Sequence, residues 1–222
     1  MSQMIRLTAR DGVTIDAYKA TPVGKPRGGI VVIQEIFGVN PHIRRVTDGF
    51  AAEGYTAIAP ALFDRLKPGI ELGYTTEEIA DASALAGKVD QAAALLDVEA
   101  AVKAASEAGP VGVVGYCWGG TLAFVASAEL SGVSAAVGYY GGNIAKMLDR
   151  IPKVPLILHF GELDAHIPMT DVAKIKSAMP DVPIYTYRAD HGFNCDARGS
   201  YDKASSAEAM ERTLAFFRTH IG

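Results

Sequence analysis

Three residues far apart in the chain have the types needed to cleave an acyl bond together. Cys117 sits in Gly115-Tyr116-Cys117-Trp118-Gly119, which fits the G-x-S-x-G nucleophile turn with cysteine in the serine position. Such a turn lifts the nucleophile clear of the backbone between a strand and a helix, and the helix N-terminus favours a thiolate there. Asp164 follows the apolar run "PLILHFG" in "ELDAHIP", and His191 follows "PIYTYR" in "ADHGFNC". Nucleophile, acid and base thus occur in the chain order expected of this kind of site. The predicted chemistry is attack of the Cys117 thiolate on an acyl carbon. His191 would move protons and Asp164 would hold the imidazole tautomer. The N–H groups of Trp118 and Ile36 are the expected oxyanion donors, one following the nucleophile and one in the early loop "QEIFGVN".

Each assignment has a rival. A buried structural cysteine in a glycine turn would explain the pentapeptide alone. Glu162 competes with Asp164, which could instead cap the helix that follows. His166 lies beside Asp164, outside the expected chain order. His42 falls in the first turn of a helix, His159 inside a strand and His220 in the tail. A zinc site from His191 and Cys195 lacks a second ligand pair. The glycine spacing fits neither a dinucleotide fingerprint nor a phosphate-binding P-loop. No cofactor and no metal are expected.

The elements around these residues alternate. A hairpin turning at Asp11-Gly12 opens the chain. Continuous apolar runs at 29–34, 56–62, 111–115, 135–141, 155–161 and 183–188 read as buried strands. Helical patterns separate them, including two alanine-rich helices broken near Gly87, a helix over Met169–Ala178 and a closing amphipathic helix. This alternation predicts an α/β fold, a mostly parallel central sheet with helices on both faces, as one domain over 1–222. Ligands bind beyond the carboxyl ends of such strands, where all three candidate residues fall.

Composition limits the partners. The net charge of −4 disfavours nucleic acid, which needs a basic face. No apolar run reaches membrane-spanning length, and the N-terminus lacks an apolar signal core. A cytoplasmic protein without membrane association, monomeric or weakly dimeric, is expected. Its two cysteines are then thiols.

The segments "QEIFGVN", "APALFDR", "GYCWGG", "GYYGG", "GELDAHIP" and "HGF" together resemble the dienelactone hydrolase (carboxymethylenebutenolidase) family of the α/β-hydrolase fold. The likeness runs from about Gly29 to the last helix. It implies a Cys117–Asp164–His191 triad and a role for Glu35, which would hold the resting thiol and take its proton when substrate displaces it. It also implies that Arg65 binds a substrate carboxylate and that Tyr140 lines the pocket. The family's dienelactone enzymes carry a second carboxylate-binding arginine four residues after the catalytic histidine. Cys195 stands there in this chain, with Arg198 nearby as a substitute. Phe37, Trp118 and Phe193 would form an apolar pocket suited to other lactones or small esters. Thioester or phosphoester hydrolysis, a ligand-binding relative without catalysis, and a redox pair of Cys117 with Cys195 are the competing readings.

Overall fold

The computed structural model describes residues 1–222. Its centre is one eight-stranded sheet in the order β1-β2-β4-β3-β5-β6-β7-β8. The opening hairpin pairs β1 (Ser2–Thr8) with β2 (Thr14–Ala20), and β2 runs antiparallel to β4 (Thr56–Pro60). From β4 the sheet is parallel through β3 (Gly29–Ile33), β5 (Val111–Tyr116), β6 (Val133–Tyr139), β7 (Leu156–Gly161) and β8 (Ile184–Tyr187).

Every residue of β3, β4 and β5 is buried. Successive side chains of a strand point to opposite faces, so both faces must be covered. Six helices surround the sheet: α1 (Pro41–Ala52), α2 (Thr76–Ala86), α3 (Gln91–Ala105), α4 (Trp118–Glu129), α5 (Met169–Ala178) and α6 (Lys203–His220). Ile30 pairs with Gly112 across β3 and β5, so these two positions share a face. A Cβ on Gly112 would strike Phe217 of α6, whereas one on the preceding-face Gly29 would strike Ala105 of α3. The helices α6 and α3 therefore lie on opposite sides. On the α6 side, Phe217 meets Phe50 of α1 edge to face at 6.1 Å.

Helix ends follow their sequence signals. Asn40 accepts from the Ile43 N–H at the start of α1, which has Pro41 at its first position. Thr75 and Glu78 form a reciprocal capping box on α2. One apolar run is shorter than the pattern suggests. The strand read over 135–141 stops at Tyr139, because Tyr140 adopts φ 38°, and the chain turns there at the carboxyl edge of the sheet. No helix is long and apolar enough to cross a membrane.

His159 is a core group, as its position inside β7 implies. Its Nδ1 lies 2.9 Å from the Tyr187 hydroxyl and its Nε2 3.2 Å from Thr213 Oγ1. Burial, aided by the charge of Arg212, pushes the imidazole down to about 3. An unfolded histidine titrates near 6.5. Between those values the unfolded chain holds a proton that the native chain lacks, so stability falls as pH drops from about 6.5 towards 3. The expected slope is at most about 1.4 kcal/mol per pH unit. Urea unfolding at a series of pH values should show this limb in the parent and a shallower one in His159→Gln.

Candidate active site

The carboxyl edge of the parallel strands gathers the reacting groups. Cys117 follows β5 and precedes α4 with φ 56° and ψ −116°, a left-handed conformation that costs a non-glycine residue about 1–3 kcal/mol. The surrounding backbone enforces it. A Cβ on Gly115 would lie 1.8 Å from the Gly119 carbonyl oxygen, so the turn closes only with glycine there. The Cys117 N–H donates to the Tyr139 carbonyl at 3.0 Å, pinning the corner to the neighbouring strand.

The three predicted partners meet. Cys117 Sγ is 3.1 Å from His191 Nε2, and His191 Nδ1 is 2.7 Å from Asp164 Oδ2. The other oxygen of Asp164 accepts from the His166 and Ile167 N–H groups at 2.8 and 3.2 Å. Asp164 thus both caps the turn and meets the imidazole, so the two readings of it are compatible. Its rival Glu162 accepts from Thr186 Oγ1 in an exposed pair. Burial opposes the charge on His191, but hydrogen bonds to Asp164 and Cys117 and their negative charge outweigh it, raising the imidazole to about 10. Burial likewise opposes ionisation of Asp164, and the His191 contact reverses this, holding the carboxyl below its usual value. The site therefore favours a protonated His191 imidazole at neutral pH.

Beside the thiol lies a cavity of about 540 Å³. Ile36, Phe37, Trp118, His166, His191 and Arg198 are among the side chains around it. Neither the Ile36 nor the Trp118 N–H donates to another backbone group outside the regular ladders, and both residues border the Cys117 sulfur's cavity. Trp118 stacks on Phe63 with ring centroids 5.8 Å apart, which fixes one wall.

Several expected substrate contacts lie elsewhere. Arg65 is clamped by Asp97 at 2.7 Å and by Asp11 at 2.7 Å, and it does not border the cavity. Its charge is already neutralised by two carboxylates. Phe193 is fully buried among Tyr139, Tyr140 and Tyr187, so it packs in the core behind the site. Tyr140 is also fully buried, with its ring 5.1 Å from that of His191. It supports the imidazole from beneath instead of facing the cavity.

Arg198 comes to the cavity in place of Arg65. Its Nη1 lies 3.5 Å from Glu35 Oε1, and its guanidinium stands 5.7 Å from the Phe37 ring centroid. Gly192, at φ 76°, makes the approach possible, since a Cβ there would meet Nη1 at 2.5 Å. Glu35 is buried and faces Arg198 and Tyr74, whose hydroxyl donates to Oε2 at 3.5 Å. The contact between Glu35 and the thiol implied by the resemblance is absent, because Cys117 is engaged by His191. Cys195 is fully buried, and burial pushes its thiol up to about 11.

Tyr74 is the residue that sequence reasoning missed. It arrives on a loop tied down by the Gly38–Glu71 bridge and by Asn40 Nδ2 donating to Leu72 O at 3.0 Å. It packs edge to face on Phe37 at 4.7 Å. "ELGYTTEE" carries no catalytic pattern, and only the capping box just after Tyr74 is legible in it.

A model of the family described as "Dienelactone hydrolase family" matches residues 15–221. The chain belongs to the dienelactone hydrolase family. It is 35% identical over 227 residues to a carboxymethylenebutenolidase of Pseudomonas putida, covering 97% of this chain and 96% of that protein. A Synechocystis protein assigned as a carboxymethylenebutenolidase is 37% identical over 228 residues, covering 93% of this chain and 92% of the relative. Among solved structures, a Klebsiella pneumoniae protein assigned as a dienelactone hydrolase superposes with a TM-score of 0.85 at 30% identity. That match covers 99% of this chain and all of the other (100%). Membership in this family makes the chain an α/β-hydrolase, in agreement with its sheet order.

Proposed function

We propose that the protein hydrolyses small carboxylic esters or lactones through a cysteinyl thioester. The observation that carries this reading is the continuous Cys117–His191–Asp164 hydrogen-bond chain at the wall of a cavity. The Cys117 thiolate attacks the acyl carbon, and the carbonyl oxygen takes up negative charge facing the Ile36 and Trp118 N–H groups. Collapse breaks the acyl C–O bond, and His191 Nε2 passes its proton to the leaving alkoxide. In a lactone that alkoxide stays tethered to the acyl group. Water then attacks the thioester, His191 takes its proton, and the thiolate departs as the carboxylic acid is released. Mixing enzyme with p-nitrophenyl acetate and quenching early should give an acetyl adduct on the peptide containing Cys117 by mass spectrometry. Release of p-nitrophenol with the adduct on another residue, or with none under burst conditions, would refute the thioester.

Away from the His191 imidazole, Arg198 is the one arginine or lysine lining the cavity, beside Ile36, Phe37 and Trp118. This favours esters or lactones carrying a carboxylate away from the scissile bond, which guanidinium binds well. Arg198→Gln should shift the kcat/KM ratio of an anionic ester to a matched neutral ester by about 10–100-fold against the anionic one, the range for a charge-assisted hydrogen bond. An unchanged ratio would remove Arg198 from substrate recognition.

A further inference from the structure

Behind the catalytic cavity three groups able to ligate a metal converge. Glu35, His42 and Cys195 each offer one ligand atom within 4.8 Å of the other two, and all three are buried. His42 Nε2 draws attention to the cluster. The residue is 3% exposed, and this nitrogen has no hydrogen-bond partner. Its other nitrogen, Nδ1, lies 3.2 Å from Asp196 Oδ1. A carboxylate on one ring nitrogen orients the other as a ligand in many metal sites. Leaving a buried polar atom unpaired costs about 1–3 kcal/mol, and the triad gives this histidine no task.

We propose that Glu35, His42 and Cys195 form a binding site, separate from the triad, for a divalent transition metal of borderline softness, with Zn²⁺ the best match. One sulfur, one nitrogen and one carboxylate oxygen are ligands that such an ion takes. Zn–ligand bonds of about 2.0–2.3 Å in a tetrahedron put donor atoms roughly 3.3–3.7 Å apart. The cluster must therefore contract by about 1 Å at its widest. The Tyr74 hydroxyl donates to Glu35 Oε2 at 3.5 Å, a further oxygen beside the cluster. Binding exchanges the Cys195 thiol proton for the metal: the S–H bond breaks, an S–metal bond forms and a proton leaves to solvent. Thiolate and carboxylate then balance the two positive charges. The cations already present are Arg198, held loosely on Glu35, and Arg45, which is paired with Asp196 at 2.7 Å. A second cavity of about 460 Å³ is bordered by His42, Arg45, Asn194 and Asp196 and by none of Cys117, Asp164 and His191. If the hydrolase reading holds, an occupied site draws Glu35 away from Arg198 and slows turnover. Metal binding itself does not depend on that reading.

The chain has only two cysteines, which makes the test clean. Cys117→Ala protein is titrated with Co²⁺ under anaerobic conditions, and thiolate-to-cobalt charge transfer is followed in the near ultraviolet. The expected result is one Co²⁺ per chain with a thiolate band that Zn²⁺ displaces. The band should vanish in Cys117→Ala/Cys195→Ser. In Cys117→Ala/His42→Asn, where an amide can still donate to Asp196 while Nε2 is gone, affinity should fall at least about 10-fold. Absence of a thiolate band in Cys117→Ala would overturn the proposal. So would an affinity unaltered by His42→Asn, the variant that decides the matter if Cys195→Ser fails to fold. Since the readout is spectroscopic and Cys117 is already removed, loss of the hydrolase reading would leave this test intact.

Discussion

Cys117→Ala is expected to lower kcat/KM for p-nitrophenyl acetate by at least about 10⁴-fold, the scale on which loss of a covalent nucleophile is felt. In the proposed mechanism the sulfur forms and breaks the bond to substrate, and of the Cys, Ser and Thr side chains lining the cavity it alone lies within hydrogen-bond distance of His191. The remaining machinery, two backbone donors and His191, could at best steer a water molecule, which accounts for a residual rate. The substitution should not cost the fold. Alanine keeps the Cβ that the strained corner already accommodates, and the turn is held by backbone contacts from Gly115 and Tyr139. Circular dichroism and an unchanged unfolding midpoint would confirm that the loss is chemical. A fall of less than 10-fold, by the same scale, would move the nucleophile elsewhere.

Asp164→Asn should lower kcat by about 10³–10⁴-fold with little change in KM. The carboxylate lies 2.7 Å from His191 Nδ1 and is one of the two contacts that raise the imidazole to about 10. An amide there cannot stabilise the imidazolium, and it can present an N–H where an acceptor is needed. The histidine should then titrate lower, towards its ordinary 6.5. Proton or nitrogen NMR of the His191 ring reads this directly. The same shift has a stability sign. In the parent, the raised imidazole contributes stability that is complete below about 6.5 and lost as pH rises through about 10. Asp164→Asn should shrink that alkaline limb. Glu162→Gln, on the exposed neighbour, should leave both the rate and the titration as they are.

The two local parts of the site were legible because local chemistry makes them. A strand, a glycine-framed corner and a helix within twelve residues leave one conformation for Cys117, and the same alternation of apolar runs and turns sets Asp164 and His191 just past strand ends. Parallel strands share a carboxyl edge, so the order of three residues along the chain was enough to predict that they meet. The α/β architecture followed from the same runs, whose unbroken apolarity requires cover on both faces.

The substrate side of the site was decided by contacts that the chain order does not encode. The family resemblance implies that Arg65 meets a substrate carboxylate, yet Asp97 and Asp11, 32 and 54 residues away, claim it. Arg198 reaches Glu35 across 163 residues, because Gly192 leaves room for its stem. Tyr74 enters from a loop with no motif, and His42 and Cys195 close on Glu35 from α1 and from the loop after β8. A nucleophile turn is specified by neighbours in sequence. Which charges remain free to meet a ligand depends on which opposite charges the folded chain brings within about 4 Å of them, and only the tertiary structure fixes that.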